Sequence, residues 1–156
     1  MRPAVVDGDL LDQPVEAIVN AWNRNIIPWW LLLPQGVAGA IKRRGGYRPF
    51  IELGRQGAIP LGGAVLTTAG RLPFRGIVHV AGISMWWRAS PLSVQGSVRA
   101  AMAVAVQQGF RSIAFPVLGA GVGGYSEDGA MAMMLEAFEP IEYAGTCLIV
   151  RFRHGC

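Results

Sequence analysis

Charge is scarce in this chain. Only 15% of its 156 residues are charged, against 52% apolar, a balance that suits a compact α/β domain with buried parallel strands. At this length one domain can bury a real core, and residues 1–156 are expected to form one. Long apolar runs are missing too. The longest candidate, Ile26 to Leu33, is short and broken by Pro28, so no membrane-crossing helix is expected. Residues 1–10 carry two aspartates and no apolar core, which argues against a secretory leader. Cysteine is nearly absent: Cys147 lies in a strand pattern and Cys156 at the end. Two thiols without metal spacing argue for a reducing, cytoplasmic setting and against a disulfide or zinc framework. No metal or other cofactor is expected. The net charge of +4 suits anionic ligands without by itself indicating nucleic acid.

What is present centres on Phe115-Pro-Val-Leu-Gly-Ala-Gly-Val-Gly-Gly-Tyr125. Four glycines fall within residues 119–124, after an apolar strand-like run and before a helical pattern opened by Ser126. Glycines let backbone N–H groups face inward and let an anion approach with no Cβ in the way. A helix N-terminus just behind adds partial positive charge. A phosphate-binding loop and a plain flexible turn both fit this segment taken alone.

Strand-like and helix-like patterns alternate along the rest, with no linker or repeat. Ala4–Val6, Ala17–Asn20, Ala64–Thr68, Gly76–Val80, Ser112–Pro116 and Thr146–Phe152 read as strands. Val37–Arg44 reads as a short helix, and Pro49 opens another that ends near Arg55. Ser90-Pro91 starts the longest helix, with Val94, Val98, Ala101, Met102, Ala105 and Val106 as its apolar face and Gly109 as its end. Ser126 caps a helix that turns Met131, Met134, Leu135 and Phe138 inward. The alternation predicts a sheet flanked by helices on both faces, with ligands at the carboxyl ends of the strands.

Five segments taken in order carry a resemblance. They are Val6-Asp-Gly-Asp9, Ala17-Ile-Val-Asn-Ala-Trp-Asn23, Gly36-Val-Ala-Gly-Ala-Ile41, Val78-His-Val-Ala-Gly82 and the glycine loop. Together they resemble the macrodomain family of ADP-ribose-binding modules over nearly the whole chain. The resemblance implies a three-layer α/β/α fold with a mixed central sheet. It also implies a cleft for ADP-ribose or for an ADP-ribosylated protein or nucleic acid, and no membrane partner. Asp9 then resembles the carboxylate that accepts from the adenine amine, and Leu10 would offer its backbone N–H to the ring. An ionised carboxylate only accepts, so it selects an exocyclic amine. Asn23 resembles the asparagine beside the distal ribose, where catalysis would occur. Asn20 enters the ligand-binding set, although a strand-end structural role suits it as well. Gly36 and Val37 resemble the first diphosphate loop. Gly119, Ala120, Gly121, Val122, Gly123 and Gly124 resemble the second, with Tyr125 behind it. His79, inside a strand pattern, reads as core.

The resemblance also has departures. Hydrolytic members with a Gly-Val-Asp-Gly-like motif carry an aspartate where this chain has Ala38. Another hydrolytic branch carries a lysine where this chain has Gln35, and many members carry an aromatic where this chain has Gly123. No familiar general base is therefore expected. The implied function is removal of an ADP-ribosyl or O-acyl group at the distal ribose, or ADP-ribose reading without turnover, or binding of a related nucleotide or RNA end. Five tryptophans lie in two segments, Trp22 with Trp29 and Trp30, and Trp86 with Trp87. They either pack on one another as a local core or, at Trp29, Trp30, Trp86 and Trp87, form a wall beside the distal ribose.

Overall fold

The computed structural model describes residues 1–32 and 36–153. Six strands form one sheet: β1 (Ala4–Gly8), β2 (Ala17–Trp22), β3 (Ala64–Thr67), β4 (Gly76–Ala81), β5 (Ser112–Pro116) and β6 (Thr146–Phe152). Their spatial order is β1-β6-β5-β2-β4-β3. All neighbours run parallel except the edge strand β3, which pairs antiparallel to β4. The helices are α1 (Gly36–Gly45), α2 (Arg48–Gly54), α3 (Pro91–Gln108) and α4 (Glu127–Phe138).

Two apolar layers sandwich this sheet. On one face Val19, Val78, Val80 and Phe115 meet Val94, Val98 and Met102 of α3 and Met134 and Phe138 of α4. On the other Ile18, Trp22, Ile77 and Ala81 meet Ile41 of α1 and Phe50 and Leu53 of α2. Successive strand residues point to opposite faces. Every residue of β4 is buried, as an interior strand covered on both faces must be. The three-layer mixed architecture expected from the sequence is thus the one observed. Val106 differs from its expectation. It is exposed because it lies a further ~100° round α3 from Ala105, past the stripe that meets the sheet.

Local chemistry sets the helix ends near the cleft. In a reciprocal cap, the Ser93 N–H donates to Ser90 Oγ and the Ser90 N–H donates to Ser93 Oγ, at 3.0 and 2.8 Å. Ser93 Oγ also donates to the Gly82 carbonyl at 2.8 Å, which ties the start of α3 to the end of β4. Gly109 closes α3 in the left-handed conformation, φ 69°. Ser126 caps α4 by accepting from the Gly129 N–H at 3.1 Å.

Asn20, His79 and Thr67 form a buried polar chain in the α1/α2 layer. Asn20 Nδ2 donates to His79 Nδ1 at 2.9 Å, and His79 Nε2 meets Thr67 Oγ1 at 2.8 Å. The Thr67 hydroxyl donates onward to the Thr68 carbonyl. Phe50 lies over the imidazole edge to face, with centroids 5.9 Å apart. Burial holds His79 down at about 3, from an ordinary 6.5, and a proton on Nδ1 would confront the Asn20 amide donor. The unfolded chain binds this proton below pH 6.5 and the folded chain does not until about pH 3, so stability falls as pH drops through that window. The urea midpoint should therefore decline between pH 6.5 and 4.5, above the range in which the lowered carboxylates Glu16, Glu52 and Glu127 begin to matter. His79→Gln should flatten that decline. An unchanged slope in the variant would remove His79 as the cause.

Burial likewise pushes the Cys147 thiol up to about 12, which makes it an inert core residue. Cys156 lies outside the described residues.

Candidate functional site

The parallel strands end together along one edge, and a cleft of about 360 Å³ opens there. Its floor is the ends of β2, β4 and β5: Ala21, Trp22 and Asn23, then Gly82 and Ile83, then Pro116 to Ala120. One wall is the start of α1, Gly36 to Ala38. The facing wall is the glycine loop after β5, which contributes Gly119, Ala120, Val122 and Gly123. The first N–H groups of α1 have no carbonyl four residues back to meet, and that end of the helix carries partial positive charge. No Asp, Glu, His, Lys or Arg lines the cleft among the described residues.

Glycine is required in the second loop for two distinct reasons. Gly119, Gly121 and Gly124 have positive φ, at 90°, 67° and 97°. A Cβ on Gly119 would also stand 2.7 Å from Val94 Cγ2, and one on Gly123 would stand 2.8 Å from Ala89 Cβ. The loop is pinned from within. Tyr125 N–H donates to the Gly119 carbonyl at 3.1 Å, Gly124 N–H to Gly121 at 2.9 Å, and Ala89 N–H to Gly123 at 3.0 Å. The Tyr125 ring packs against the loop. Gly121, Gly124 and Tyr125 do not line the cleft itself; they shape the segment that does. Gly119→Ala combines a left-handed backbone with a packed neighbour and should cost ~2–4 kcal/mol, read as a lowered urea midpoint. A shift below ~1 kcal/mol would show that the loop relaxes freely.

Asn23 is 8% exposed and lines the cleft. Its Oδ1 accepts the Asn25 N–H at 2.8 Å. Its Nδ2 donates to no group among the described residues and stays accessible, so Asn23 presents a donor to the cleft. Asn25 is itself in the left-handed region at φ 61°. It is held there by Nδ2 donation to the carbonyls of Leu53 and Gly57.

Asn20 is separate from this group. It is fully buried, lines no part of the cleft, and directs its amide to His79, because residues of a strand alternate in direction and position 20 faces the α1/α2 core. Asp9 and Leu10 lie at the end of β1 on the same sheet edge, outside the enclosed cleft. Asp9 Oδ1 accepts the Leu11 N–H at 2.9 Å and Arg44 stands 3.8 Å from Oδ2. Phe152, which the sequence reading did not single out, ends β6 in register with Gly8, the residue before Asp9, and is largely exposed. An apolar ring closing a strand pattern was the available signal. Gly82 closes one of the segments that carry the resemblance but was given no place in the site, and Ile83 was not singled out; both line the cleft.

These positions match a known family. A model of the Macro domain matches residues 19–134. The chain belongs to the macro domain family. A macro domain-containing protein of Streptomyces griseus is 39% identical over 150 residues, 88% of this chain and 82% of that protein. The O-acetyl-ADP-ribose deacetylase of Klebsiella pneumoniae is 32% identical over 156 residues, covering 91% and 86%. A mutant macrodomain of Oceanobacillus iheyensis solved with ADPR is 26% identical and superposes with a TM-score of 0.81, over 96% of this chain and 84% of that one.

This macro domain places its tryptophans differently from either expectation. They do not form a core of their own, because Trp22 and Trp29 both pack on Phe50, and Trp29 also packs on Tyr47. Lys42 of α1 sits beneath them, its Nζ 4.9 Å from the Phe50 ring centre and 5.7 Å from that of Trp29, and donates to the Trp29 carbonyl at 3.4 Å. Burial lowers its pKa, and the rings replace part of the lost hydration. Of the four wall candidates only Trp87 lines the cleft, joined by Trp22 and Leu32. Trp29 faces the α1/α2 layer, and Trp30 and Trp86 face solvent. Gln35 lies outside the described residues.

Proposed function

We propose that this macro domain binds ADP-ribose along the sheet edge and hydrolyses a substituent on its distal ribose. The observation that carries this reading is the cleft between the α1 N-terminus and the pinned glycine loop, free of carboxylates on both walls. Such paired backbone donors suit a diphosphate. The adenine then lies at the β1/β6 end, against Asp9, the Leu10 N–H and the Phe152 ring. The distal ribose lies at the other end, beside Asn23 and Trp87. A relative named O-acetyl-ADP-ribose deacetylase and a structural neighbour solved with ADPR support this reading.

The reaction adds water across the bond to the substituent and yields ADP-ribose and the protonated leaving group, or acetate from an O-acetyl ester. No titratable side chain lines the cleft among the described residues, so substrate oxygens take the water proton. The chain contributes orientation through the Asn23 donor and exclusion of solvent by Trp22, Trp87 and Leu32. A second reading, ADP-ribose recognition without turnover, is favoured by Ala38, where hydrolytic members with a Gly-Val-Asp-Gly-like motif carry an aspartate, and by Gly123, where many members carry an aromatic. Calorimetry with ADP-ribose followed by turnover of O-acetyl-, peptide- and nucleotide-linked ADP-ribose separates them. Tight binding with no release selects the second reading; no binding removes both.

The adenine contact has its own test. Asp9→Asn retains an oxygen for the Leu11 N–H but exchanges the other acceptor for a donor. It should weaken ADP-ribose binding by ~1.5–3 kcal/mol and should strengthen binding of the hypoxanthine analogue, which offers a carbonyl in place of the amine. Equal native affinity for the two ligands would take Asp9 out of this role.

A further inference from the structure

The face formed by α2 and the segment after β2 is both apolar and positively charged, and the proposed ADP-ribose pose leaves it unused. Ile26, Trp30 and Leu31 come from the segment, Tyr47 and Ile51 from the helix, and their exposures run from 44% to 68%. Trp29 joins the two groups. Its ring centre lies 5.5 Å from that of Tyr47, and its Cδ1 stands 3.4 Å from where a Cβ on Gly54 would lie, so the segment runs along the helix. Asn25 ties the segment to the far end of α2 by donating Nδ2 to the carbonyls of Leu53 and Gly57. Tyr47 and Ile51 are one turn apart on the same side of α2. After Pro28 the chain makes a tight turn: the Leu31 N–H donates to the Pro28 carbonyl at 3.0 Å and the Leu32 N–H to the Trp29 carbonyl at 3.3 Å. Trp29 anchors that turn, and Trp30 and Leu31 project from it. Large apolar side chains gathered in this way mark a surface that meets a partner.

Charge and shape indicate which partner. Residues 24–71 hold seven Lys and Arg and one carboxylate, Glu52, which Thr68 and Arg48 occupy. Arg55 stands at the C-terminal end of α2. Arg71 stands at the other end, its guanidinium carbon 3.6 Å from where a Cβ on Gly46, the residue before Tyr47, would lie. Neither arginine has a carboxylate partner among the described residues. Two copies of the chain meeting through this face would bring like charges together. None of the five apolar side chains lines the cleft or the shallow hollow beside Arg99 on α3; they project instead. An anionic lipid surface suits projecting groups: indole and phenol rings settle at headgroup level, leucine and isoleucine enter the acyl boundary, and basic groups meet the lipid charge. No helix among the described residues is long and apolar enough to cross a membrane, so such contact is peripheral.

We propose that this face docks the protein on an anionic membrane surface, with Trp30 and Leu31 inserted and Arg55 and Arg71 on the headgroups. The family resemblance implies no membrane partner, and this face departs from that expectation. The test is flotation of the protein with vesicles of phosphatidylcholine alone or with about 30% phosphatidylserine, at about 50 and 200 mM salt. Binding to the anionic vesicles should exceed binding to the neutral ones by ~10-fold or more at low salt, and it should fall at high salt. Trp30→Ser combined with Leu31→Ser should weaken it by ~10-fold or more. Arg55→Gln combined with Arg71→Gln should weaken it by as much, whereas Arg99→Gln, on α3 across the sheet, should stay within ~2-fold. All five positions are exposed, and circular dichroism checks that each variant keeps the fold. Absence of flotation with anionic vesicles leaves the face to a protein partner and overturns the proposal. Undiminished binding of the Trp30 and Leu31 variant overturns it too, because charge alone then holds the protein. A loss in Arg99→Gln as large as that in the Arg55 and Arg71 variant overturns the assignment to this face. None of these outcomes bears on the ADP-ribose reading, which calorimetry tests separately.

Discussion

Gly36→Glu should abolish ADP-ribose binding, with a loss of ~100-fold or more, in a protein that still folds. Gly36 lines the cleft at the first turn of α1, and a Cβ there would meet no atom of the described residues within 4 Å. The new side chain therefore enters open space and brings its carboxylate to the N–H groups that a diphosphate would use. Two like charges cannot share that helix end without repulsion. The native φ of 61° makes the substitution cost ~1–2 kcal/mol in backbone strain, offset in part by ~0.3–1 kcal/mol from an anion at a helix N-terminus. Stability thus changes by far less than affinity. Calorimetry beside a urea titration measures both quantities. Native-like affinity in the variant would place the diphosphate elsewhere.

Turnover should fall ~10²-fold in Asn23→Asp, with thermal stability close to native. The aspartate retains the oxygen that accepts the Asn25 N–H and replaces the cleft-facing amide donor with a second acceptor. Asn23→Ala should lose turnover to a similar degree and lose ~1 kcal/mol of stability as well, because it leaves the Asn25 N–H unpaired. The pair of variants separates donation to the ribose from support of the turn. A loss in kcat that exceeds the loss in product affinity marks an interaction strengthened in the transition state. Full turnover in Asn23→Asp would show that the donor is not needed.

The sequence by itself determined the layered α/β architecture, since apolar period and punctuation by glycine, proline and serine are local signals. Ser90 and Ser126 start helices, Gly109 ends one, and β4 is apolar on both faces except at His79 because it is covered on both sides. The order of motifs was also legible, and with it the glycine loop and Asn23 at strand ends, where a parallel sheet gathers its ligands. The roles inside those motifs depended on three dimensions. Asn20 and Asn23 are three positions apart, yet the twofold alternation of β2 sends the first into the core and lets the second, just past the strand, reach the cleft. The glycines of one loop divide into those that need positive φ and those that need the space of Val94 or Ala89, neighbours from the chain around α3. The tryptophans divided most sharply. Trp29 and Trp30 are adjacent, but a turn after Pro28 lays one on Phe50 and leaves the other to solvent. Composition records that indoles are present; only the tertiary packing around them decides which are core, which line the cleft, and which stay exposed.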